Sequence, residues 1–134
     1  MRVRKINHIG IAVKDIEKAK ALFQDVLGLK LSRSETVREQ KVNTAIFSLG
    51  EIGIELLEST SIDGPVARFV EKRGEGIQHL AIEVDDLEKA IEELKVKEIR
   101  LIDEQARKGA SDTRIAFLHP KSTFGVLIEL IEKR

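Results

Sequence analysis

Residues 6–19 read I-N-H-I-G-I-A-V-K-D-I-E-K-A, and residues 77–90 read I-Q-H-L-A-I-E-V-D-D-L-E-K-A. At an offset of 71, eight of these fourteen positions are identical. Self-similarity of this kind dictates architecture before any single element does, because each copy must fold into the same unit. The chain of 134 residues therefore reads as one domain built from two modules, approximately 1–60 and 75–134, joined by a connector at 61–74.

Each copy opens with strict alternation, the mark of a strand with one buried face. Ile9, Ile11 and Val13 point one way, and His8, Gly10 and Ala12 the other. In the second copy Leu80, Ile82 and Val84 oppose His79, Ala81 and Glu83. A helix follows each strand. Asp15 is placed to cap the first, whose apolar positions Ile16, Ala19, Phe23, Val26 and Leu27 keep a period near 3.6, with Gly28 at its end. Its counterpart starts at Asp85 or Asp86, with Leu87, Ala90, Ile91 and Leu94 on one face. Three more strand-like segments follow in each copy: 30–35, 42–49 and 53–57, then 100–103, 113–118 and 126–131. The expected fold is α+β, two tandem βαβββ modules forming a cupped mixed sheet. In the connector, Pro65 suits a first helical position, 66–72 reads as a short helix, and Gly74 ends it.

The composition removes whole classes of function. Twenty-three basic residues balance twenty-three acidic ones, so a positive field for nucleic acid or an anionic membrane is not expected. There is no cysteine, which excludes disulfide scaffolds, thiolate catalysis and cysteine-based metal sites. No apolar run approaches the roughly 18 residues of a membrane span, so a soluble, cytoplasmic protein is expected.

The last strands of the two copies, G-I-E-L-L-E at 53–58 and V-L-I-E-L-I-E at 126–132, each place one Glu inside an aliphatic run. Strand parity puts Glu55 and Glu129 on the side away from the helix, the side His8 and His79 also take. A carboxylate in mid-strand costs free energy unless it is paired, solvated or metal-bound. Two His and two Glu, one of each per copy, suit a divalent ion such as Co²⁺, Mn²⁺, Ni²⁺, Fe²⁺ or Zn²⁺, with Co²⁺ heading the expectation. The spacing is 47 residues from His8 to Glu55 and 50 from His79 to Glu129, and the difference falls in the longer turn 119–125. His119, before Pro120 and without a repeat partner, reads as a turn residue. Gln40, at the start of the third strand, and Lys121 are candidate substrate contacts.

The segments N-H-I-G-I-A-V-x-D at 7–15, I-E-L-L-E at 54–58, G-I-Q-H-L-A-I-E-V-D at 76–85, F-L-H-P-K-S at 117–122 and G-V-L-I-E-L at 125–130 resemble the methylmalonyl-CoA epimerases of the vicinal oxygen chelate, or glyoxalase-like, superfamily. The resemblance spans essentially the whole chain. It implies an isomerase that interconverts (R)- and (S)-methylmalonyl-CoA, a homodimer, and a place in propionyl-CoA metabolism. It also implies a metal held by His8, Glu55, His79 and Glu129, which stabilises an enediolate as a Lewis acid. Proton removal on one face and return on the other needs two bases. Glu129 is the first candidate. Some family members carry an acid where Thr44 stands here, so Glu55 is the candidate for the second. Rival readings on this fold are a lactoylglutathione lyase-like enzyme, a ring-cleaving dioxygenase and a metal-free binding module. Arg33, Arg38, Arg68, Lys72 and Arg73 are all candidate phosphate contacts, and none stands out.

Overall fold

A computed structural model describes residues 1–133. The chain forms two compact units. The first is His8–Gln78, and the second joins Met1–Asn7 to the chain from His79 onward. The repeat in the sequence and the division in space therefore differ where each copy opens: the opening strand β1 (Val3–Ala12) gives its first residues to one unit and its last to the other, and Gly76–Gln78, which begin the second copy, lie in the first unit.

In the first unit the strand order is β2-β3-β4-β1, with β2 at Lys30–Val37, β3 at Val42–Leu49 and β4 at Ile52–Ser59. β4 runs parallel to β1, and the other pairs are antiparallel. Helix α1 (Ile16–Ala21) follows β1 because Asp15 breaks the strand and accepts from the amides of Glu17 and Lys18. The Ile16 amide donates to Glu58 Oε2 on β4 at 3.1 Å. The helix then widens into a π-helical turn, Leu22–Val26, where the Leu27 amide reaches back to the Leu22 carbonyl. Gly28, at φ 72°, lets the chain turn away. Val13, Ile16, Ala45, Phe47 and Leu56 form the core between helix and sheet, with Phe23 packed on Phe47 at a centroid distance of 5.8 Å. The connector helix α2 (Pro65–Arg73) begins at Pro65 and stops at Gly74, φ 79°, as the sequence predicts.

In the second unit the order is β1-β5-β8-β7-β6, with β5 at Gly76–Val84, β6 at Arg107–Lys108, β7 at Thr113–Leu118 and β8 at Ile128–Lys133. Here β5 and β8 are parallel. Helix α3 (Leu87–Val96) is capped by Asp86, which accepts from Lys89, and the Leu87 amide donates to Glu132 Oε1 at 2.7 Å. This pair repeats Ile16 with Glu58. Leu87, Ala90, Ile91 and Leu94 pack on Val84, Ala116, Leu118 and Leu130. Burying such side chains contributes roughly 1.5–3 kcal/mol each. The beginning of the chain is stitched into this unit: Asn7 Nδ2 donates to Glu83 Oε1 at 3.1 Å, and the Asp85 amide donates to the Arg2 carbonyl at 3.2 Å.

Two expectations change. The strand expected at 100–103 is reduced to a single bridge, Leu101 to Leu118, and the second strand of this module is the two-residue β6 further on. The cause is Asp103. Its carboxylate accepts the Phe117 amide at 2.8 Å, while the amides of Ile102 and Asp103 both converge on the Phe117 carbonyl. A side chain thus replaces a ladder partner and the pairing stops. β8 also begins two residues later than expected, because the turn before it is held to Val126 by the Thr123 carbonyl.

Candidate functional site

Register places the ligand-type residues. In the first unit His8 pairs with Gly53 and Gly10 with Glu55, so His8 and Glu55 share a sheet face two residues apart along parallel strands. His8 Nε2 lies 3.3 Å from Glu55 Oε1, and both side chains are 6% exposed. In the second unit Ala81 pairs with Glu129, which sets His79 and Glu129 in the same relation. His79 Nε2 lies 3.9 Å from Glu129 Oε1, with both side chains buried. Each module thus carries one buried His–Glu pair, and the pairs occupy matching strand positions.

In the second unit the packing around the ring is explicit. His79 is met edge-on by Phe117, at 5.6 Å between centroids and 88° between planes, and Ala81, Ile115, Phe117 and Ile131 cluster on that side of the sheet. Thr44, buried at 4% exposure, stands one register step from Glu55, since Ile46 pairs with Glu55 and Thr44 with Leu57. Its hydroxyl donates to the Glu35 carbonyl at 3.1 Å. That proton is committed to the backbone, and an alcohol is no base near neutral pH.

Each pair offers one imidazole nitrogen and one carboxylate oxygen, both buried, and these are donor types that suit a divalent ion. Two donors sharing a cation at about 2.1 Å each can lie at most about 4.2 Å apart. The separations within the pairs, 3.3 and 3.9 Å, satisfy that bound.

The remaining sequence candidates fall elsewhere. Gln40 sits in the tight turn Arg38–Gln40 that joins β2 to β3, rather than on β3 itself, and is half-buried. The turn closes because Lys41 takes the left-handed conformation, φ 55°. Lys121 is exposed in the turn Pro120–Ser122, and its amide donates to His119 Nδ1 at 3.1 Å. His119 is thus the turn residue its sequence context suggests. Arg107 was not singled out from the sequence, and the structure puts it on the Glu129 face. Among the described residues no helix is long and apolar enough to cross a membrane.

A family model described as the Glyoxalase/Bleomycin resistance protein/Dioxygenase superfamily matches residues 7–117. The human mitochondrial methylmalonyl-CoA epimerase is 39% identical over 127 residues, covering 94% of this chain and 72% of that protein. The crystal structure of methylmalonyl-CoA epimerase from Mycobacterium tuberculosis superposes with a TM-score of 0.94 at 37% identity, covering 98% of this chain and 89% of that one. A Streptomyces coelicolor methylmalonyl-CoA epimerase variant in complex with 2-nitronate-propionyl-CoA superposes at 0.95 with 31% identity, covering 98% and 96%. The chain belongs to the glyoxalase, bleomycin resistance protein and dioxygenase superfamily and, within it, to the methylmalonyl-CoA epimerase family.

Proposed function

We propose that this protein interconverts (R)- and (S)-methylmalonyl-CoA by moving the proton alpha to the thioester, and that His8, Glu55, His79 and Glu129 together hold one divalent ion. The observation that carries the reading is the recurrence of a buried His–Glu pair at matching positions in both modules, in a chain of the epimerase family. A single buried pair is an ordinary structural feature, whereas two copies in register ask for a shared task.

When bound, the ion supplies positive charge that stabilises the negative charge developing on the thioester oxygen during proton removal. The imidazoles of His8 and His79 act as neutral ligands whose ring positions are fixed by their strands. Glu129 accepts the alpha proton on one face of the carbon, and Glu55 delivers a proton to the other, so each module contributes one base. Thr44 stands outside the proton path, because its hydroxyl already donates to Glu35. Gln40 and Lys121 contact the substrate from their turns. Co²⁺ as the resident ion, a homodimeric assembly and a cytoplasmic location belong to the same proposal. Elemental analysis, light scattering and cell fractionation decide them.

The test is exchange of the alpha proton of methylmalonyl-CoA in D₂O followed by NMR, with cobalt-loaded and chelator-stripped protein side by side. Metal-dependent deuterium incorporation with loss of stereochemical purity is expected. Glu55→Gln should retain metal and lose most turnover. Unchanged turnover in that variant removes Glu55 from the proton path, and no exchange in metal-loaded protein rejects the epimerase reading.

A further inference from the structure

We infer that Arg107 recognises an oxyanion of the substrate from the edge of the sheet that carries Glu129. This rests on the reading of the substrate as a malonyl-type CoA thioester, which bears a carboxylate at one end and phosphates at the other. Register fixes the placement. Arg107 pairs with Ile115, Ile115 with Ile131, and Ile131 stands two residues from Glu129 on β8. Paired residues of neighbouring strands share a face, as do residues two apart on one strand. Arg107, Ile115, Ile131, Phe117, Glu129 and His79 therefore all occupy one side of the sheet in this unit.

The local chemistry is unusual for a surface arginine. Its Nε lies 3.2 Å from Asp103 Oδ1, yet the geometry makes no hydrogen bond, and this N–H is buried without an acceptor. Asp103 is itself committed, because its other oxygen accepts the Phe117 amide at 2.8 Å. The carboxylate thus fixes the stem of Arg107 and offsets its charge, while no acceptor among the described residues is hydrogen-bonded to the guanidinium. That buried Nε–H faces Asp103, so an incoming anion would meet the outer nitrogens of the guanidinium. The planar fork of a guanidinium matches a carboxylate or phosphate through two parallel bonds. The side chain remains 34% exposed at the open edge of β6, so an anion can reach it. Lys108, the next residue, alternates to the opposite face and cannot share the task.

The two anionic ends of the substrate are separable by experiment. Metal-loaded wild type, Arg107→Met and Arg107→Lys would be titrated calorimetrically with methylmalonyl-pantetheine, which keeps the carboxylate and lacks phosphates, and with propionyl-CoA, which keeps the phosphates and lacks the carboxylate. Loss of roughly 10–100-fold in affinity is expected for Arg107→Met on one of the two probes. A smaller loss is expected for Arg107→Lys, which keeps charge without the fork, and melting temperatures should stay within a few degrees of wild type. Loss on the pantetheine ester assigns Arg107 to the carboxylate, and loss on propionyl-CoA assigns it to the phosphates. Unchanged affinity on both probes overturns the inference. Wild type that binds both probes and exchanges no alpha proton rejects the epimerase reading while Arg107 is still decided by the affinities. Failure of wild type to bind either probe rejects both.

Discussion

Removing the carboxylate of Glu132 should loosen the second unit by an amount the structure lets one work out. Its Oε1 accepts the Leu87 amide at 2.7 Å, at the first turn of α3. Leu87 is fully buried, so water cannot easily replace the lost partner. Loss of a helix-capping acceptor costs about 0.5–2 kcal/mol, and loss of a negative charge from a helix N-terminus about 0.3–1 kcal/mol more. Glu132→Ala should therefore destabilise by roughly 1–3 kcal/mol, whereas Glu132→Gln, which keeps an oxygen, should give up only the charge contribution. The equivalent change in the first unit, Glu58→Ala, removes the acceptor of the Ile16 amide at 3.1 Å and should fall in the same range. Urea unfolding followed by far-ultraviolet circular dichroism measures all three, with exposed Glu92→Ala as a control expected within about 0.5 kcal/mol of wild type. If Glu132→Ala matches Glu92→Ala, the carboxylate does not hold the helix and the reasoning fails.

Two further outcomes test the fold and the metal. A methyl group at Gly109 would stand 2.7 Å from both Ile115 Cγ2 and Thr113 Oγ1, so Gly109→Ala should lower stability by about 1–3 kcal/mol through overpacking, read from the same urea curves. Divalent ion at 100 times its dissociation constant should stabilise the native chain by about 2.7 kcal/mol. A thermal melt of His79→Ala should show no such gain, and an equal gain in that variant would place the ion elsewhere.

Most of the architecture was legible because the chain repeats itself. His8 with His79, and Glu55 with Glu129, mark strand positions whose faces follow from parity alone, and the register agrees with that reading. The failures are local and share a cause. The sequence at 100–103 reads as a short strand, but nothing in the pattern says that Asp103 will take the Phe117 amide in place of a backbone partner. Gln40 reads as strand, yet Lys41 in the left-handed conformation closes a turn there. The caps supplied by Glu58 and Glu132 bridge residues 42 and 45 positions apart. No window of propensity spans that distance, although the repeat does place a Glu near the end of each last strand.

The split membership of β1 bears on how the chain is made. Residues Val3–Asn7 are made well before the rest of their unit, which also needs Glu83 and Asp85. At about 5–20 residues per second, the roughly 76 residues between Asn7 and Glu83 take about 4–15 s to synthesise. During that interval the first module can complete its own strands and helix while the opening of the same strand waits with its backbone groups unclaimed. Val3–Asn7 are thus made before the other strands of the fold and are among the last to be satisfied. A change within Val3–Asn7 would be felt in the unit completed last.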